Sequence, residues 1–244
     1  MVGVWHELPV DQWAQVSAPL APSTERLRDA FFADVGWITL GVVRGERWRL
    51  RLGPLTLLSF AEPEFDGTAW TWPITGGLLA RRPGGVLRYG WRDGELFGEV
   101  SGYLPRLPAL VYRPTQARVH RLLTRRFLLR LRGRTPPPGV PAGPAQRLLT
   151  AGLDLALCAG VIAALRPRRR VRSFVAAAAG YHVACWVLGG RTIGARLTGE
   201  RVVSVDGSPV ALWQAVVRLA ALPLALRSLR AVHDELAATE VVEA

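Results

Sequence analysis

Arg147-Leu148-Leu149-Thr150-Ala151-Gly152-Leu153-Asp154-Leu155-Ala156-Leu157-Cys158-Ala159-Gly160-Val161-Ile162-Ala163-Ala164-Leu165 is the stretch on which the organisation of this chain turns. The 18 residues from Leu148 to Leu165 include one charge, Asp154, and the run stops at Arg166-Pro167-Arg168-Arg169-Arg170. A helix needs about 20 apolar residues, within a range of roughly 17–25, to cross the hydrocarbon of a bilayer. The run therefore predicts a membrane helix. A second run, Ser173–Gly189, is Ala-rich and contains His182. Joined to the first by a short basic loop, it predicts a helical hairpin. A third apolar segment, Val210–Leu226, carries Gln214, Arg218 and Pro223 and can span, dip in or lie in the interface. Buried core helices of a soluble protein are the competing explanation of the first two runs. The C-terminal half holds nothing else large enough to bury them.

An ionisable residue at the middle of a membrane helix costs about 2.5–3.5 kcal/mol on insertion scales and faces protein or water rather than lipid. Asp154 is such a residue, and Arg147 lies seven positions earlier on nearly the same helix face. Pairing Leu148 with Gly190 in an antiparallel hairpin sets Asp154 level with Ala184, so His182 falls within about one turn of its depth. The two can share a proton in a transport path, or satisfy each other or the backbone and hold the hairpin together. In the same register Cys158 and Cys185 lie about 7–8 Å apart along the axis, which argues against a disulfide.

The rest of the composition fits a chain with two unlike halves. Mean hydropathy is +0.18 and the formal charge is +12; all 31 basic residues are Arg, and Lys and Asn do not occur. Coding bias towards Arg explains the missing Lys, but the charge still needs an acidic counterpart. Between Val100 and Leu153 there are ten Arg and no acidic residue, and this run leads into the first apolar segment. That position favours anionic lipid headgroups, each nearby Arg contributing roughly 1 kcal/mol, and argues against nucleic acid. The opening Met1-Val2-Gly3-Val4-Trp5-His6-Glu7 lacks the basic-then-apolar pattern of a signal peptide. With the positive-inside rule, and Arg191, Arg196 and Arg201 counted on that side, a cytoplasmic N-terminal domain and a multi-pass cell-membrane protein are expected.

The N-terminal half has the pattern of a soluble α+β domain, residues 1–132. Ser23-Thr24-Glu25 is a helix start. Trp48, Leu50 and Leu52 alternate with Arg47, Arg49 and Arg51, the period of a half-buried strand. Further strands are expected at 55–60, 69–74, 86–91 and 96–100, with Asp93-Gly94 as a hairpin turn. A long helix follows Arg113-Pro114-Thr115, with Leu122, Leu123, Phe127 and Leu131 on one face and Arg118, Arg121, Arg125 and Arg132 on another. Seven of the nine Trp lie in this half. An antiparallel sheet closed by a long C-terminal helix, a helix-grip-like arrangement, is compatible with a cavity for a small apolar ligand or lipid. Gly133–Pro144, with five Pro and three Gly, is the linker. Residues 145–242 then form an all-α transmembrane domain of two to three helices.

After the second apolar run the chain reads Gly189-Gly190-Arg191-Thr192-Ile193-Gly194-Ala195-Arg196-Leu197-Thr198-Gly199-Glu200-Arg201-Val202-Val203-Ser204-Val205-Asp206-Gly207-Ser208-Pro209, and near the end His233-Asp234-Glu235-Leu236-Ala237-Ala238-Thr239. With Arg147 and Asp154, these strings resemble the RDD family of prokaryotic membrane domains, over roughly residues 145–242. The resemblance rests on an Arg at the start and an Asp in the middle of the first helix, a G-x-T-x-G loop, an R-V-V strand with a D-G turn, and an H-D-x-L-A-x-T tail. It marks Arg147, Asp154, Gly190, Thr192, Gly194, Arg201, Asp206, Gly207, Arg218, His233, Asp234 and Thr239. Either Asp206 or Asp234 can be its second characteristic Asp. Ala195 departs from the pattern, which usually has Lys there; Arg196 is adjacent. The resemblance implies a membrane domain for which transport has been suggested.

The sequence contains no P-loop, no G-x-S-x-G and no His/Cys set at metal spacing, since His6, His120, His182 and His233 are scattered. Neither an enzyme nor a cofactor is expected. Two functions stay open: a membrane anchor or scaffold for a cytoplasmic binding domain, and an oligomeric transporter or ion–proton exchanger using Asp154.

Overall fold

The computed structural model describes residues 9–228 and 231–244, without the side chains at positions 109, 226 and 228. The opening stretch 1–7, with His6, lies outside the described residues. The chain divides into two compact units, Met1–Gly133 and Arg134–Ala244.

The first unit runs β1 (Val10–Ser17), α1 (Thr24–Ile38), β2 (Arg44–Glu46), β3 (Arg49–Leu52), β4 (Leu55–Phe60), β5 (Glu64–Phe65), β6 (Ala69–Gly76), β7 (Val86–Arg92), β8 (Glu95–Tyr103), α2 (Ala109–Tyr112) and α3 (Gln116–Arg132). Its antiparallel sheet has the order β1-β8-β7-β6-β4-β3-β2, with β5 paired to β6. The Ser23 side chain caps α1 by accepting from the Arg26 backbone N–H. Asp93 and Gly94 both take positive φ in the two-residue β7–β8 turn, the conformation that matches strand twist. Helices α1 and α3 pack on the sheet around a nest of rings. Phe127 lies 4.8 Å from Tyr89, Phe31 5.1 Å from Tyr89 and Phe32 5.2 Å from Trp48, centroid to centroid. Trp72, Tyr89 and Phe127 are fully enclosed, and such rings dominate core energetics through the area they bury.

Three local expectations shift. Arg47 and Trp48 are not strand residues but the turn between β2 and β3, both at positive φ. That conformation is costly for side chains other than glycine, and the packing of Trp48 on Phe32 and Trp72 holds it. On α3 the inward face is Ala117, Thr124, Phe127, Leu128 and Leu131, while Leu122 points outward. Finally, β1 is a strand that the sequence reading did not include.

Several α3 arginines are engaged within this unit. Arg130 pairs with Asp34 at 3.0 Å and lies 4.0 Å over the Trp37 ring. Arg126 donates to the Ile38 carbonyl, and Arg132 to that of Ser17.

The second unit contains α4 (Pro144–Leu165), α5 (Arg170–Gly189), α6 (Ile193–Thr198), β9 (Glu200–Ser204), α7 (Leu212–Ser228), α8 (Val232–Ala237) and β10 (Thr239–Glu243). Pro144 starts α4 where a missing N–H costs nothing. At 1.5 Å per residue α4 and α5 are about 33 and 30 Å long, matching a hydrocarbon core of about 30 Å. Only 11% and 6% of their apolar stretches are buried. Leu148, Leu165 and Leu188 are 75%, 72% and 86% exposed. A soluble core helix buries such residues; a membrane helix presents them to lipid. The apolar helix α7 contains Pro223 and at 17 residues is about 25 Å long, short of the hydrocarbon thickness.

Strands β9 and β10 pair antiparallel from Glu200–Glu243 to Ser204–Thr239. The second half of the Pro/Gly-rich stretch is fastened here: Ala142 N–H donates to the Val241 carbonyl, and Glu243 N–H to that of Val140. A small core of Ala142, Trp186, Val202, Val210, Ala215 and Val241 sits beneath.

Candidate functional site

Two clusters of buried polar residues are built around carboxylates of the second unit. The first is built on Asp154. Helical spacing places Gln146, Thr150, Asp154 and Cys158 four residues apart on one stripe of α4. Asp154 Oδ1 accepts from the Gly194 N–H at 2.8 Å and from the Tyr181 hydroxyl at 2.8 Å. The Tyr181 hydroxyl in turn accepts from the Ile193 N–H at 2.7 Å. Hydrogen bonds to a charged group contribute about 1.5–3 kcal/mol each, so two of them offset the roughly 2.5–3.5 kcal/mol of inserting a carboxylate. One turn away, Thr150 donates to Glu200 Oε2 at 2.9 Å, and Gln146 donates to the Thr198 carbonyl at 2.8 Å.

The G-x-T-x-G loop has a physical explanation at each position. Gly190 ends α5 in the left-handed conformation, and a Cβ there would meet the Val202 carbonyl at 2.4 Å. Thr192 caps α6 by accepting from the Ala195 N–H at 3.1 Å. Gly194 lets α6 approach α4 closely: a Cβ would fall 2.6 Å from the Thr150 carbonyl and 2.9 Å from the Asp154 carboxyl. The loop is therefore the seat of the Asp154 carboxylate.

The second cluster is built on Asp234, which is fully buried. Arg147 from α4 bonds its Oδ2, and Arg218 from α7 pairs with its Oδ1. Thr239 donates to Oδ1 at 3.0 Å and accepts from Arg218 at 3.0 Å. The Arg218 guanidinium also lies 5.0 Å over the Trp186 ring. One carboxylate thus binds the first helix, the third helix and the start of β10. His233 Nε2 is 3.6 Å from Asp234 Oδ2, too far for a hydrogen bond. Burial first, then the charges of Arg218, Arg147 and Arg134, pushes the His233 pKa down to about 3, so this ring is neutral at physiological pH.

His182 is brought beside Asp154, its Nε2 3.9 Å from Oδ2, while its Nδ1 bonds the Ala178 carbonyl at 2.8 Å. Asp206 accepts from the N–H and hydroxyl of Ser208 in the turn after β9. Of the two Asp candidates, Asp234 is the one the structure joins to Arg147. Arg191, Arg196 and Arg201 are exposed, and Ala195 is buried. Both cysteines are free. Among the described residues no group of three or more His, Cys, Asp or Glu side chains could hold a metal.

Sequence reasoning missed Gln214, Tyr181, Thr150 and Glu200. Gln214 is fully buried and donates to the Ser204 hydroxyl and to the Ala237 and Ala238 carbonyls at 2.9–3.1 Å. A signal was present: Gln214 precedes Arg218 by one helical turn in an apolar segment, and Thr150 precedes Asp154 likewise.

No curated protein and no solved structure matches the chain. A family model does match, over residues 171–236, from α5 into α8, leaving Arg147, Asp154 and Thr239 outside the matched span. The C-terminal part of the chain carries an RDD family domain, and with two apolar helices of membrane-spanning length it marks a membrane protein.

Proposed function

We propose that the second unit is a membrane anchor and scaffold for the first, which is a cytoplasmic ligand-binding domain. The observation that supports this reading is where the buried polar groups of the second unit are spent. Asp154 is held by Tyr181 and Gly194, and Asp234 by Arg147, Arg218 and Thr239. Each carboxylate ties helices to the loop or sheet that joins them. Two spanning helices cannot by themselves enclose a solute path, and the polar stripe of α4 faces its own chain.

The second reading, an oligomeric exchanger working through Asp154, draws on His182 standing 3.9 Å from that carboxylate. Ion and proton flux in proteoliposomes separates the two. The anchor predicts no flux above protein-free vesicles from a folded preparation, with Asp154→Asn unchanged. Flux that disappears in Asp154→Asn establishes the exchanger. Orientation is tested with Arg168→Cys in a chain whose Cys158 and Cys185 are replaced by Ala. A cytoplasmic first unit requires position 168 to react with an impermeant thiol reagent from outside the cell.

A further inference from the structure

The first unit encloses a cavity of about 230 Å³ between α1, the sheet and α3. Its walls are apolar, from Phe31 and Val35 on α1, Ile74, Leu87 and Val100 on the sheet, and Leu123 on α3. Val119 lines it and is 55% exposed. Among the described residues no Arg, Asp or Glu lines it, so a charged guest would lose its hydration without a partner. A cavity of about 150 Å³ with such walls stays dry and takes a benzene ring. By that proportion this one holds roughly nine or ten non-hydrogen atoms.

One end is polar. Tyr103, Tyr112, Gln116 and His120 line it together. The Tyr103 hydroxyl donates its only proton to the Leu79 carbonyl at 2.6 Å, so it can only accept from Gln116, whose Nε2 lies 3.3 Å away. That fixes the Gln116 amide and leaves its Oε1 buried without a hydrogen-bond partner. The Tyr112 hydroxyl accepts from Gln12 Nε2 at 2.7 Å, which leaves its own proton to give. Gln12 turns its Oε1 to His120 Nδ1 at 2.8 Å. Burial pushes the His120 pKa down to about 4, so no charge stands at this end at neutral pH. A buried acceptor left unmatched costs about 1–3 kcal/mol. A hydroxyl group, which donates and accepts at once, would satisfy both Gln116 and Tyr112.

We propose that this cavity is a binding site for a small, neutral, largely apolar molecule of roughly ten non-hydrogen atoms carrying a hydroxyl group, an alcohol or phenol, that docks its O–H on Gln116 Oε1. This rests on the reading of the first unit as the binding domain that the anchor carries. Membrane extraction tests the anchor separately, so either reading can fail without the other.

The test uses the full chain in lipid nanodiscs, with empty nanodiscs measuring partition into lipid. The probes are 1-naphthol, naphthalene and 1-naphthoate, followed by equilibrium dialysis. Saturable 1-naphthol binding is expected at one site per chain, at least ten-fold tighter than naphthalene, with 1-naphthoate not bound. Gln116→Leu should reduce the preference for naphthol over naphthalene to less than three-fold while naphthalene binding persists. Leu123→Trp, which fills the cavity, should abolish both. Tryptophan fluorescence melting shows that each variant folds. No saturable binding overturns the site, as does binding that Leu123→Trp leaves intact. Equal affinity for naphthol and naphthalene, or tight binding of naphthoate, overturns the ligand class.

Discussion

The two units solve the same packing problem with opposite faces. The first hides Trp72, Tyr89, Phe127 and Leu128 and turns its arginines outward, many of them onto rings and carboxylates at its surface. The second hides Asp154, Glu200, Gln214, Arg218 and Asp234 while leaving Leu148, Leu165 and Leu188 exposed. Of the nine buried polar or charged residues among those described, Thr124 alone belongs to the first unit. In water, apolar contact holds a fold together and polar groups are free to face solvent. In a bilayer lipid competes for apolar contact, so the specific ties between helices are hydrogen bonds and ion pairs. The difference teaches where each unit is fragile: the first through its rings, the second through its carboxylates.

The sharpest way to break this contrast is at Asp234. Its removal as Asp234→Ala leaves Arg147 and Arg218 without their common anion, and breaking a buried pair in this way costs about 3–5 kcal/mol. Thermal unfolding of the second unit in detergent should show it, while the transition of the first unit stays in place. A wild-type second transition would refute the clustered role. Next in size is Leu155→Arg, at a position 46% exposed near the middle of α4. On a soluble surface this change is close to neutral. At the centre of a membrane helix it costs about 3 kcal/mol on insertion scales, and the chain should become extractable by carbonate.

The first unit has its own signature in acid. His120 is neutral when folded, with its pKa lowered to about 4 by burial, against 6.5 when unfolded. The unfolded chain therefore binds the extra proton between these values, and stability falls as pH drops from 6.5 towards 4, by up to about 3 kcal/mol. His120→Gln should flatten that limb of the stability curve followed by tryptophan fluorescence, and an unaltered slope would count against it. Smaller again is Gly194→Ala, where the added methyl forces α6 away from Thr150 and Asp154, at about 1–3 kcal/mol. Its partner measurement is Gly160→Ala in α4, where a Cβ meets nothing within 4 Å. That change should raise stability by roughly 0.5–1 kcal/mol, and a loss there would show a close neighbour at that face.

Much of the framework was legible. Ser23 as a cap, Asp93-Gly94 as a turn and the two apolar helices all depend on neighbours within a few residues. The errors share a cause as well. Arg47-Trp48 has the alternation of a strand, yet a hairpin turn is set there by the rings it can reach. β1 alternates strictly in burial, but its inward positions include Gln12 and Ala14 beside Val10 and Val16, so hydrophobicity hides the period. Leu122 is as apolar as Leu123, and only the sheet beneath α3 decides which of them turns in.

From the sequence alone came the membrane helices, the sheet-rich first domain and the residues that resemble the RDD pattern. Length, periodicity and motif spacing are properties of the chain taken a segment at a time. What those residues do was decided only in three dimensions. Asp234 rather than Asp206 meets Arg147, a partner 87 residues away, and Asp154 meets an N–H 40 residues further along. Away from water each buried polar group must find a partner within the protein. Which partner it finds depends on how helices distant in sequence come together.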